Sequence, residues 1–278
     1  MTAALDSLPP VAFIGGGNMA SAILGGLRRA GLPAAHFEVV EPWAEARERL
    51  ARDFGIAAAG EAGPALARCG LVVWAVKPQA FAEATPPVRP FTGQALHLSV
   101  AAGIPSQSIA AWLGTERIVR AMPNTPALVG QGMTGLFARP AVDAAGRAQV
   151  EQLLAPTGRL LWVAPESALD AVTALSGSGP AYVFFFIEAM AAAGVEMGLT
   201  PEQAHQLAVG TFTGASALAA ASTEPPAVLR ERVTSKGGTT HAAISAMQAA
   251  GVQDDIRAAV HAAQRRAGEL AAEFGRAN

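Results

Sequence analysis

The sequence contains a single cysteine, Cys69, among its 278 residues. One cysteine excludes an intramolecular disulfide and any metal site built from several cysteines, which is typical of a protein in a reducing cytosol. Because Cys69 comes just before an apolar strand-like run, we interpret it as a small buried side chain rather than a reactive thiol.

Charge is also scarce: 15% of the residues are charged, the formal net charge is −2 and the pI is near 6.2. The basic residues are scattered, so we expect no nucleic-acid partner. Residues 1–10 contain Asp6 and two prolines instead of a basic start and an apolar core, so they predict no signal peptide. The longest apolar run, residues 181–195, is interrupted by Glu188 and is too short to span a bilayer. The sequence therefore predicts a soluble, cytoplasmic protein without a membrane partner.

Three common catalytic motifs are absent from the sequence. It has no histidine pair at zinc-ligand spacing, no nucleophile elbow, and no phosphate loop that ends in Gly-Lys-Ser/Thr. We therefore predict no metal site. Chemistry carried by a bound organic cofactor needs none of these motifs.

The clearest motif is the glycine-rich turn in residues 11–20, Val-Ala-Phe-Ile-Gly-Gly-Gly-Asn-Met-Ala. A short apolar strand leads into Gly15, Gly17 and Ala20, which have the spacing of the dinucleotide fingerprint. The first glycine permits the turn, the second lets a pyrophosphate approach the backbone, and Ala20 lets the next helix pack on the strand. Glycine-rich turns also occur for steric reasons alone. The flanking strand and helix, and an acidic residue at the end of the next strand, favour a nucleotide site.

Strand-like runs alternate with helical patterns from residue 11 to about residue 163, which predicts a doubly wound, mostly parallel α/β sheet of the Rossmann type. Helices are predicted at residues 43–54, ending at Gly55, and at residues 106–113, ending at Gly114. We assign residues 1–165 to a dinucleotide-binding domain. The strand candidates are residues 36–40, 71–76, 95–100, 117–122, 134–137 and 160–163.

Residues 166–278 lack strand patterns and are predicted to form an all-helical domain. The run 181–195 is apolar on nearly all sides, so it must be buried in its own domain or against another subunit. Thr200 and Gln203 form a capping box at the start of a helix rich in small residues, which permit close helix crossings. The composition of this half predicts a dimerisation domain. Further helices are predicted at residues 239–250 and 253–274.

Polar or glycine-rich turns follow the predicted strands at residues 75–79, 99–103 and 122–126, and residues 176–180 form a similar turn in the helical half. Ligands bind at the carboxyl ends of the strands in open α/β sheets, so the joint placement of these turns favours a site. Each turn alone is ordinary turn chemistry.

Residues 233–241, Val-Thr-Ser-Lys-Gly-Gly-Thr-Thr-His, lie between two helical patterns. Glycines and hydroxyls just before a helix offer free backbone N–H groups to a small anion such as a carboxylate. The alternative is a plain connection between helices, capped by threonine. His241 at the helix start is more often a surface or capping residue than a catalytic one.

These stretches resemble the pyrroline-5-carboxylate reductase family. The resemblance implies a Rossmann-type domain followed by an all-helical dimerisation domain. It also implies reduction of the C=N bond of 1-pyrroline-5-carboxylate to L-proline by NADPH or NADH, the last step of proline biosynthesis, in a homo-oligomer built from dimers. The similarity runs from residue 11 to about residue 270 and rests on residues 14–19, 75–78, 122–126, 175–182 and 233–240.

The resemblance also implies site residues. The loop that receives the substrate carboxylate would be Ser235, Gly237, Gly238, Thr239 and Thr240, with Ser176 and Gly177 in the opposite wall. Thr240 would place its hydroxyl near the ring nitrogen, and Glu224 would lie near the substrate amine. The residues that would bind the cofactor are Gly15, Gly17, Asn18, Met19, Ala75, Lys77, Pro78 and Asn124.

One cofactor position departs from the family pattern. The second strand ends in Glu41, where relatives that prefer NADPH commonly have a small polar residue. A carboxylate there accepts hydrogen bonds from the ribose hydroxyls and repels a 2′-phosphate, so NADH is expected to serve at least as well as NADPH. Arg47 and Arg49, one turn further on, would soften this preference if they paired with Glu41 or reached the phosphate.

The expected mechanism captures the substrate carboxylate on residues 235–240, places the C=N bond over the nicotinamide in the cleft between the domains, and delivers a hydride to the imine carbon. A protonated imine needs no side-chain acid, so the proton donor is left open. Another enzyme of similar architecture, such as a different imine reductase or a 3-hydroxyacid dehydrogenase, is one alternative. Such a dehydrogenase would need a lysine base on a helix of the second domain, but Lys236, on the glycine loop, is the only lysine after residue 166. A scaffold protein that binds the dinucleotide without turnover is the other alternative, and the intact substrate loop argues against it.

Overall fold

The structure, a computed structural model, describes residues 7–275. Residues 1–6, where part of the signal-peptide prediction falls, and residues 276–278 lie outside the described residues. By its internal contacts the chain divides into two compact units: residues 1–177 with 263–278, and residues 178–262. The end of the last helix, from residue 263 onward, therefore belongs to the first unit. The functional division into residues 1–165 and 166–278 stays a prediction.

The first unit is built on a seven-stranded sheet with the order β2-β1-β3-β4-β5-β6-β7. The first five strands are parallel, β6 is antiparallel to β5, and β7 is parallel to β6. The prediction of a doubly wound, mostly parallel sheet is confirmed. The strands are β1 Val11–Ile14, β2 Phe37–Val40, β3 Leu71–Trp74, β4 Leu96–Ser99, β5 Ile118–Met122, β6 Gly132–Ala138 and β7 Gly158–Trp162.

Alternate side chains of β1 belong to different hydrophobic cores. Val11 and Phe13 pack in one cluster of buried residues, whereas Ala12 and Ile14 pack in the other. A strand that is covered on both faces is apolar at every position, which is the pattern of a parallel sheet with helices on both sides. The carboxyl end of β1 therefore lies inside the sheet, flanked by β2 and β3 and covered on both faces.

The helices predicted at residues 43–54 and 106–113 are present in this unit. The helix after β2 ends at Gly55, which adopts a positive φ of 69° and so closes the helix as expected. The sequence analysis named no helix at Phe81–Thr92, which contains Pro86, Pro87 and Pro90, or at Ala144–Leu154. The helices are α1 Asn18–Arg29, α2 Ala44–Phe54, α3 Phe81–Thr92, α4 Ser106–Leu113, α5 Ala144–Leu154 and α6 Ala168–Val172.

Two buried side chains of this unit have strongly shifted pKa values. Burial raises the pKa of the Cys69 thiol to about 11, so the prediction of a buried, unreactive cysteine is confirmed. Burial also lowers the pKa of His97 to about 4. The indole N–H of Trp74 donates to Nδ1 of His97 at 3.0 Å, which assigns the proton to Nε2, where the carbonyl of Thr92 accepts it at 3.2 Å.

The second unit is helical throughout. Thr200 and Gln203 form the predicted capping box: the backbone N–H of Gln203 donates to the Thr200 hydroxyl at 3.2 Å, and the N–H of Thr200 donates to the Gln203 side chain at 3.0 Å. A Cβ on Gly194 would lie 2.9 Å from Cβ of Ala204, so a small residue is needed where the first two helices cross. The helices are α7 Gly179–Glu196, α8 Pro201–Ala221, α9 Pro226–Arg232, α10 Thr239–Ala249 and α11 Val252–Gly275.

The large apolar side chains of this unit are mostly exposed. Phe184 and Phe185 of α7 are 58% and 69% exposed, and Leu218 of α8 is 72% exposed. The stretch Ala168–Glu196, which includes α6, a π-helical turn and α7, is long and apolar enough, by length and composition only, to cross a membrane. The apolar run 181–195, which the sequence analysis judged too short to span a bilayer, is only part of this longer stretch. The core helix of a soluble protein passes the same test, so this finding carries little weight alone.

Candidate functional site

The glycine-rich turn follows β1, which lies between β2 and β3 in the sheet. Gly15 has a φ of +95°, and a Cβ at this position would lie 2.7 Å from the carbonyl oxygen of Ala75. Its N–H donates to the carbonyl of Val40 at 2.8 Å, so the turn begins between the ends of β2 and β3. Only glycine fits this backbone, which explains the first position of the fingerprint.

The start of α1 is open. Gly17 is the N-cap residue, no side chain caps the helix, and its first turn holds no acidic residue. A Cβ on Gly17 would meet no protein atom within 4 Å. The free N–H groups at Asn18 and Met19 therefore face a region where a phosphate can approach the backbone, as the sequence predicts.

A cavity of about 710 Å³ lies beside this turn. It brings together five of the predicted cofactor residues, namely Gly15, Gly17, Glu41, Ala75 and Lys77. Pro78 follows Lys77 in a short turn of 3-10 helix. The cavity is large enough for a dinucleotide, and the uncapped N-terminus of α1 beside it can bind the pyrophosphate. Its other lining residues are Pro42, Trp43, Glu45, Ala46, Arg49, Val76 and Ala80.

Glu41 is held against the glycine-rich turn. One carboxylate oxygen accepts the N–H of Gly16 at 2.7 Å, and the other accepts the N–H of Trp43 at 2.9 Å. Arg47 does not pair with this carboxylate, because it donates to the backbone carbonyls of Glu41 and Pro42 at 2.9 and 2.6 Å. No ion pair with Arg47 therefore offsets this carboxylate at the cavity wall.

Asn124 and Ser176, predicted separately, lie together in the first unit. The amide nitrogen of Asn124 donates to the carbonyl and to the hydroxyl of Ser176, both at 3.2 Å, and its oxygen accepts the N–H of Met133 at 2.9 Å. Ser176 and Gly177 belong to a π-helical turn, Thr173–Gly177. Such turns are frequent at functional sites. A Cβ on Gly177 would lie 2.5 Å from the Met122 side chain, so this turn packs directly on the end of β5.

An ion pair fixes the start of the segment that leads to this turn. The guanidinium of Arg120, on β5, donates to Glu166 at 2.6 Å, and the N–H and hydroxyl of Ser106 donate to the same carboxylate at 2.7 and 2.6 Å. Burial alone would raise the pKa of Glu166, but the hydrogen bonds from Ser106 and Arg120 outweigh it and hold the pKa below its ordinary value. Glu166 therefore stays charged and tethers this segment to the sheet.

The predicted substrate loop lies in the second unit, before α10. The N–H of Gly238 donates to the carbonyl of Ser235 at 3.0 Å, which folds the loop into a tight turn. Gly238 is the N-cap residue of α10, no side chain caps this helix, and its first turn holds no acidic residue. The helix begins at Thr239, and Thr240 is half-buried. The loop therefore offers unpaired N–H groups and hydroxyls to an anion.

Glu224 has a partner that the sequence analysis did not anticipate. The guanidinium of Arg232 donates to the Glu224 carboxylate at 2.6 Å, with a second contact between the same two groups. The predicted role of Glu224 beside the substrate amine stays a prediction, and in this structure its charge is already compensated.

Lys77 and Lys236 are the only two lysines of the chain, whereas 18 residues are arginine. Both lysines are exposed, and neither ammonium group forms a hydrogen bond or ion pair with the residues from 7 to 275. One lines the cavity and the other lies on the loop before α10. The sequence analysis missed Trp43 and Glu45 in the cavity wall, since nothing in α2 marked them. Within the described part of the chain, no group of three or more His, Cys, Asp or Glu residues is placed to hold a metal ion.

Sheet, glycine-rich turn and cavity together define a dinucleotide-binding protein of the Rossmann class. Residues 10–103 match the family described as "NADP oxidoreductase coenzyme F420-dependent", and residues 166–270 match "Pyrroline-5-carboxylate reductase dimerisation". Over 271 residues the chain is 46% identical to the pyrroline-5-carboxylate reductase of Pseudomonas aeruginosa, covering 97% of this chain and 99% of the relative.

Two solved structures extend the comparison. That of a pyrroline-5-carboxylate reductase from Coxiella burnetii superimposes with a TM-score of 0.88 at 35% identity, covering 95% of this chain and 99% of the other. The Plasmodium falciparum pyrroline carboxylate reductase, solved with NADP bound, has a TM-score of 0.84 at 27% identity, covering 95% and 98%. The chain belongs to the pyrroline-5-carboxylate reductase family. It is an NAD(P)H-dependent reductase with a Rossmann-type domain and a helical dimerisation domain, as predicted.

Proposed function

We propose that the two glycine-rich elements bind the two reactants: the turn after β1 binds the cofactor, and the loop before α10 binds the substrate. The reaction is the reduction of 1-pyrroline-5-carboxylate to L-proline with NAD(P)H. The observation that carries the proposal is that both elements end at uncapped helix N-termini without acidic residues in the first turn. Such helix ends attract anions, and each ligand offers one: the pyrophosphate and the substrate carboxylate.

In this proposal the loop holds the substrate by its carboxylate. The N–H of Thr239 and the hydroxyl of Ser235 receive the carboxylate, and the turn closed by the hydrogen bond from Gly238 to Ser235 keeps them in place. The Thr240 hydroxyl oxygen then accepts the N–H of the protonated imine and orients the C=N bond. The bound nicotinamide supplies the hydride. Since the imine loses its positive charge in this step, the chain contributes orientation and electrostatics rather than a strong acid.

The Asn124–Ser176 pair belongs to the cofactor side of the proposal. The Asn124 amide is fixed by hydrogen bonds to Ser176 and Met133, so its orientation does not depend on a ligand. A preset amide beside the nicotinamide would position the ring without a conformational cost. Glu224 would bind the amine only if it exchanged part of its contact with Arg232, so Glu224 is the weaker of the two catalytic proposals.

The assembly follows from the second unit. Its exposed phenylalanines and leucines form an apolar surface, and soluble monomers rarely expose a large contiguous apolar area. In addition, the family model that matches residues 166–270 describes a dimerisation domain. We propose a homodimer, or an oligomer built from dimers, that is soluble in the cytoplasm. Light scattering at micromolar concentration should give at least twice the monomer mass of 28.3 kDa. A folded, soluble monomer would contradict the assembly proposal.

The enzymatic proposal is tested by mixing the protein with 1-pyrroline-5-carboxylate and either NADH or NADPH. We expect the absorbance of the reduced nicotinamide to fall as L-proline forms, with one molecule of reduced cofactor oxidised for each molecule of L-proline. A 3-hydroxyacid offered with the oxidised cofactor should give no reaction, because the second unit has no lysine base on a helix. Cofactor binding without proline formation would favour the scaffold alternative.

A further inference from the structure

One side of the cofactor cavity is a short segment, residues 75–80, between β3 and α3. None of the residues in this segment is buried, so packing of its own side chains contributes little to fixing its course. The residues on either side of it, Trp74 and Phe81, are both fully buried. The position of this cavity wall therefore depends on how Trp74 and Phe81 are held. The residues of the segment that line the cavity are Ala75, Val76, Lys77 and Ala80.

Trp74 and Phe81 pack on each other and so connect the two ends of the segment. Their rings stack with centroids 4.9 Å apart and an interplanar angle of 28°. Trp74 is the last residue of β3, and Phe81 is the first residue of α3. Trp112 of α4 also packs against Phe81, with ring centroids 5.7 Å apart. A change in the position of the Trp74 ring would therefore reach both ends of the cavity wall.

His97 of β4 fixes the Trp74 ring. His97 is 1% exposed, and its Nδ1 accepts the indole N–H of Trp74 at 3.0 Å, while its Nε2 donates to the carbonyl of Thr92 at 3.2 Å. The strand partners of His97 in the sheet are the apolar residues Val72 and Ile118, which offer the indole no side-chain acceptor. Loss of the imidazole would therefore leave a buried indole N–H without its partner, which is costly.

The imidazole of His97 stays neutral over the neutral pH range. Burial is the largest cause and lowers its pKa to about 4, the hydrogen bond to Thr92 opposes this shift, and the charge of Arg117 adds to it. Arg117, which directly precedes β5, is the charged group that acts on this ring within the described part of the chain. Nδ1 therefore keeps its lone pair, and the Trp74 indole keeps its acceptor.

We propose that His97 is a positioning residue for the bound dinucleotide, because it fixes the stacked pair Trp74–Phe81 and so keeps the wall at residues 75–80 in place. His97 is not among the residues that line the cavity, so it acts through Trp74 and touches no ligand. This inference rests on the proposed cofactor side of the function. It predicts an effect on cofactor affinity, since a loosened wall must be ordered again when the cofactor binds.

The test is a double-mutant cycle on the two side chains. His97→Leu removes the acceptor, Trp74→Phe removes the N–H and keeps an aromatic ring for the stack, and a third variant carries both changes. Calorimetry gives the dissociation constants of NAD⁺ and NADP⁺, which do not react without a substrate. Each single variant should weaken both cofactors by about 5- to 20-fold, the effect of one buried hydrogen bond left unmade. The double variant should bind no more weakly than the single variants, because all three lose the same contact.

Steady-state kinetics and two further variants separate positioning from general stability. In His97→Leu the KM for NAD(P)H should rise by the same factor, while kcat and the KM for 1-pyrroline-5-carboxylate stay within about twofold. His97→Asn keeps an acceptor oxygen near the place of Nδ1 and should bind both cofactors within about threefold of the parent protein. His36→Leu is the matched control, since His36 is the other histidine of the first unit and donates to the carbonyl of Pro9, outside the cavity wall. It should leave both dissociation constants unchanged.

A His97→Leu protein that unfolds at a lower temperature but binds both cofactors as the parent does would overturn the proposal. Additive losses in the double variant would also overturn it, because His97 would then act by a route other than Trp74. Trp74→Phe supplies the same test if His97→Leu does not fold, and unchanged cofactor affinity in that variant would be equally contrary. A parent protein that binds both cofactors but forms no proline would refute the proposed reaction alone, since the dissociation constants are measured without turnover.

Discussion

Gly17→Ala is expected to leave the stability of the ligand-free protein unchanged and to weaken NAD(P)H binding at least about tenfold. In the protein a Cβ at this position meets no atom within 4 Å, and the φ of −74° suits alanine. The same Cβ would stand where the pyrophosphate approaches the backbone. A displacement of the phosphates from the N–H groups of α1 would remove one or more charge-assisted hydrogen bonds, each about 1.5–3 kcal/mol. Thermal unfolding without ligand and a cofactor titration measure the two effects separately.

Gly15→Ala is the matched comparison and should behave differently. Its Cβ would lie 2.7 Å from the carbonyl of Ala75, and its φ of +95° is unfavourable for any residue with a side chain. We expect a loss of about 1–3 kcal/mol of stability even without cofactor, because the strain exists in the protein itself. If Gly17→Ala proved as destabilising as Gly15→Ala, the space beside Gly17 would not be reserved for a ligand.

Thr240→Val and Thr240→Ala are expected to lower kcat/KM by about 10- to 100-fold, a loss of roughly 1.4–2.7 kcal/mol of transition-state stabilisation. The hydroxyl is lost in both variants, while the backbone N–H groups of the loop remain, so activity should not vanish. Thr240 is half-buried at the start of α10, which fits a residue whose hydroxyl contacts a ligand rather than solvent alone. Steady-state kinetics with 1-pyrroline-5-carboxylate as the varied substrate give the effect.

Thr240→Ser distinguishes orientation from packing. Serine keeps the hydroxyl and loses one methyl group, so its kcat/KM should stay within about threefold of the parent enzyme. If serine lost as much activity as valine, the methyl contact would matter and the hydroxyl would not. Unchanged kinetics in all three variants would assign Thr240 to the helix start alone.

The sequence predicts best where a local pattern and the fold agree. The turn after β1 has strand, glycines and helix within ten residues, and the structure places each as expected. Phe81–Thr92 was missed because Pro86, Pro87 and Pro90 lower helix propensity, yet the structure still accommodates a helix there, with Phe81, Thr85, Val88 and Thr92 buried. Tertiary packing overrides propensity in this helix, and no local pattern reveals that.

Contacts between distant residues were also beyond prediction. Asn124 and Ser176 lie 52 positions apart, and their hydrogen bonds depend on how the π-helical turn packs on β5. The partner of Glu224, Arg232, lies only eight positions away, but their ion pair depends on the turn before α9. For Glu41 the sequence predicted a free carboxylate for a ribose. The structure adds that this carboxylate also holds the glycine-rich turn, through the N–H of Gly16.

The placement of Lys77 and Lys236 decides how the enzyme can be attached to a solid support. Apart from the N-terminal amine, these are the only amines that an aldehyde or activated-ester resin can capture, and both are exposed. Coupling through lysine would therefore fasten the protein by its cofactor cavity or by its proposed substrate loop. Cys69 offers no substitute, because it is buried and its thiol has a pKa of about 11. Surface carboxylates or an added terminal tag would leave the catalytic elements facing the solution.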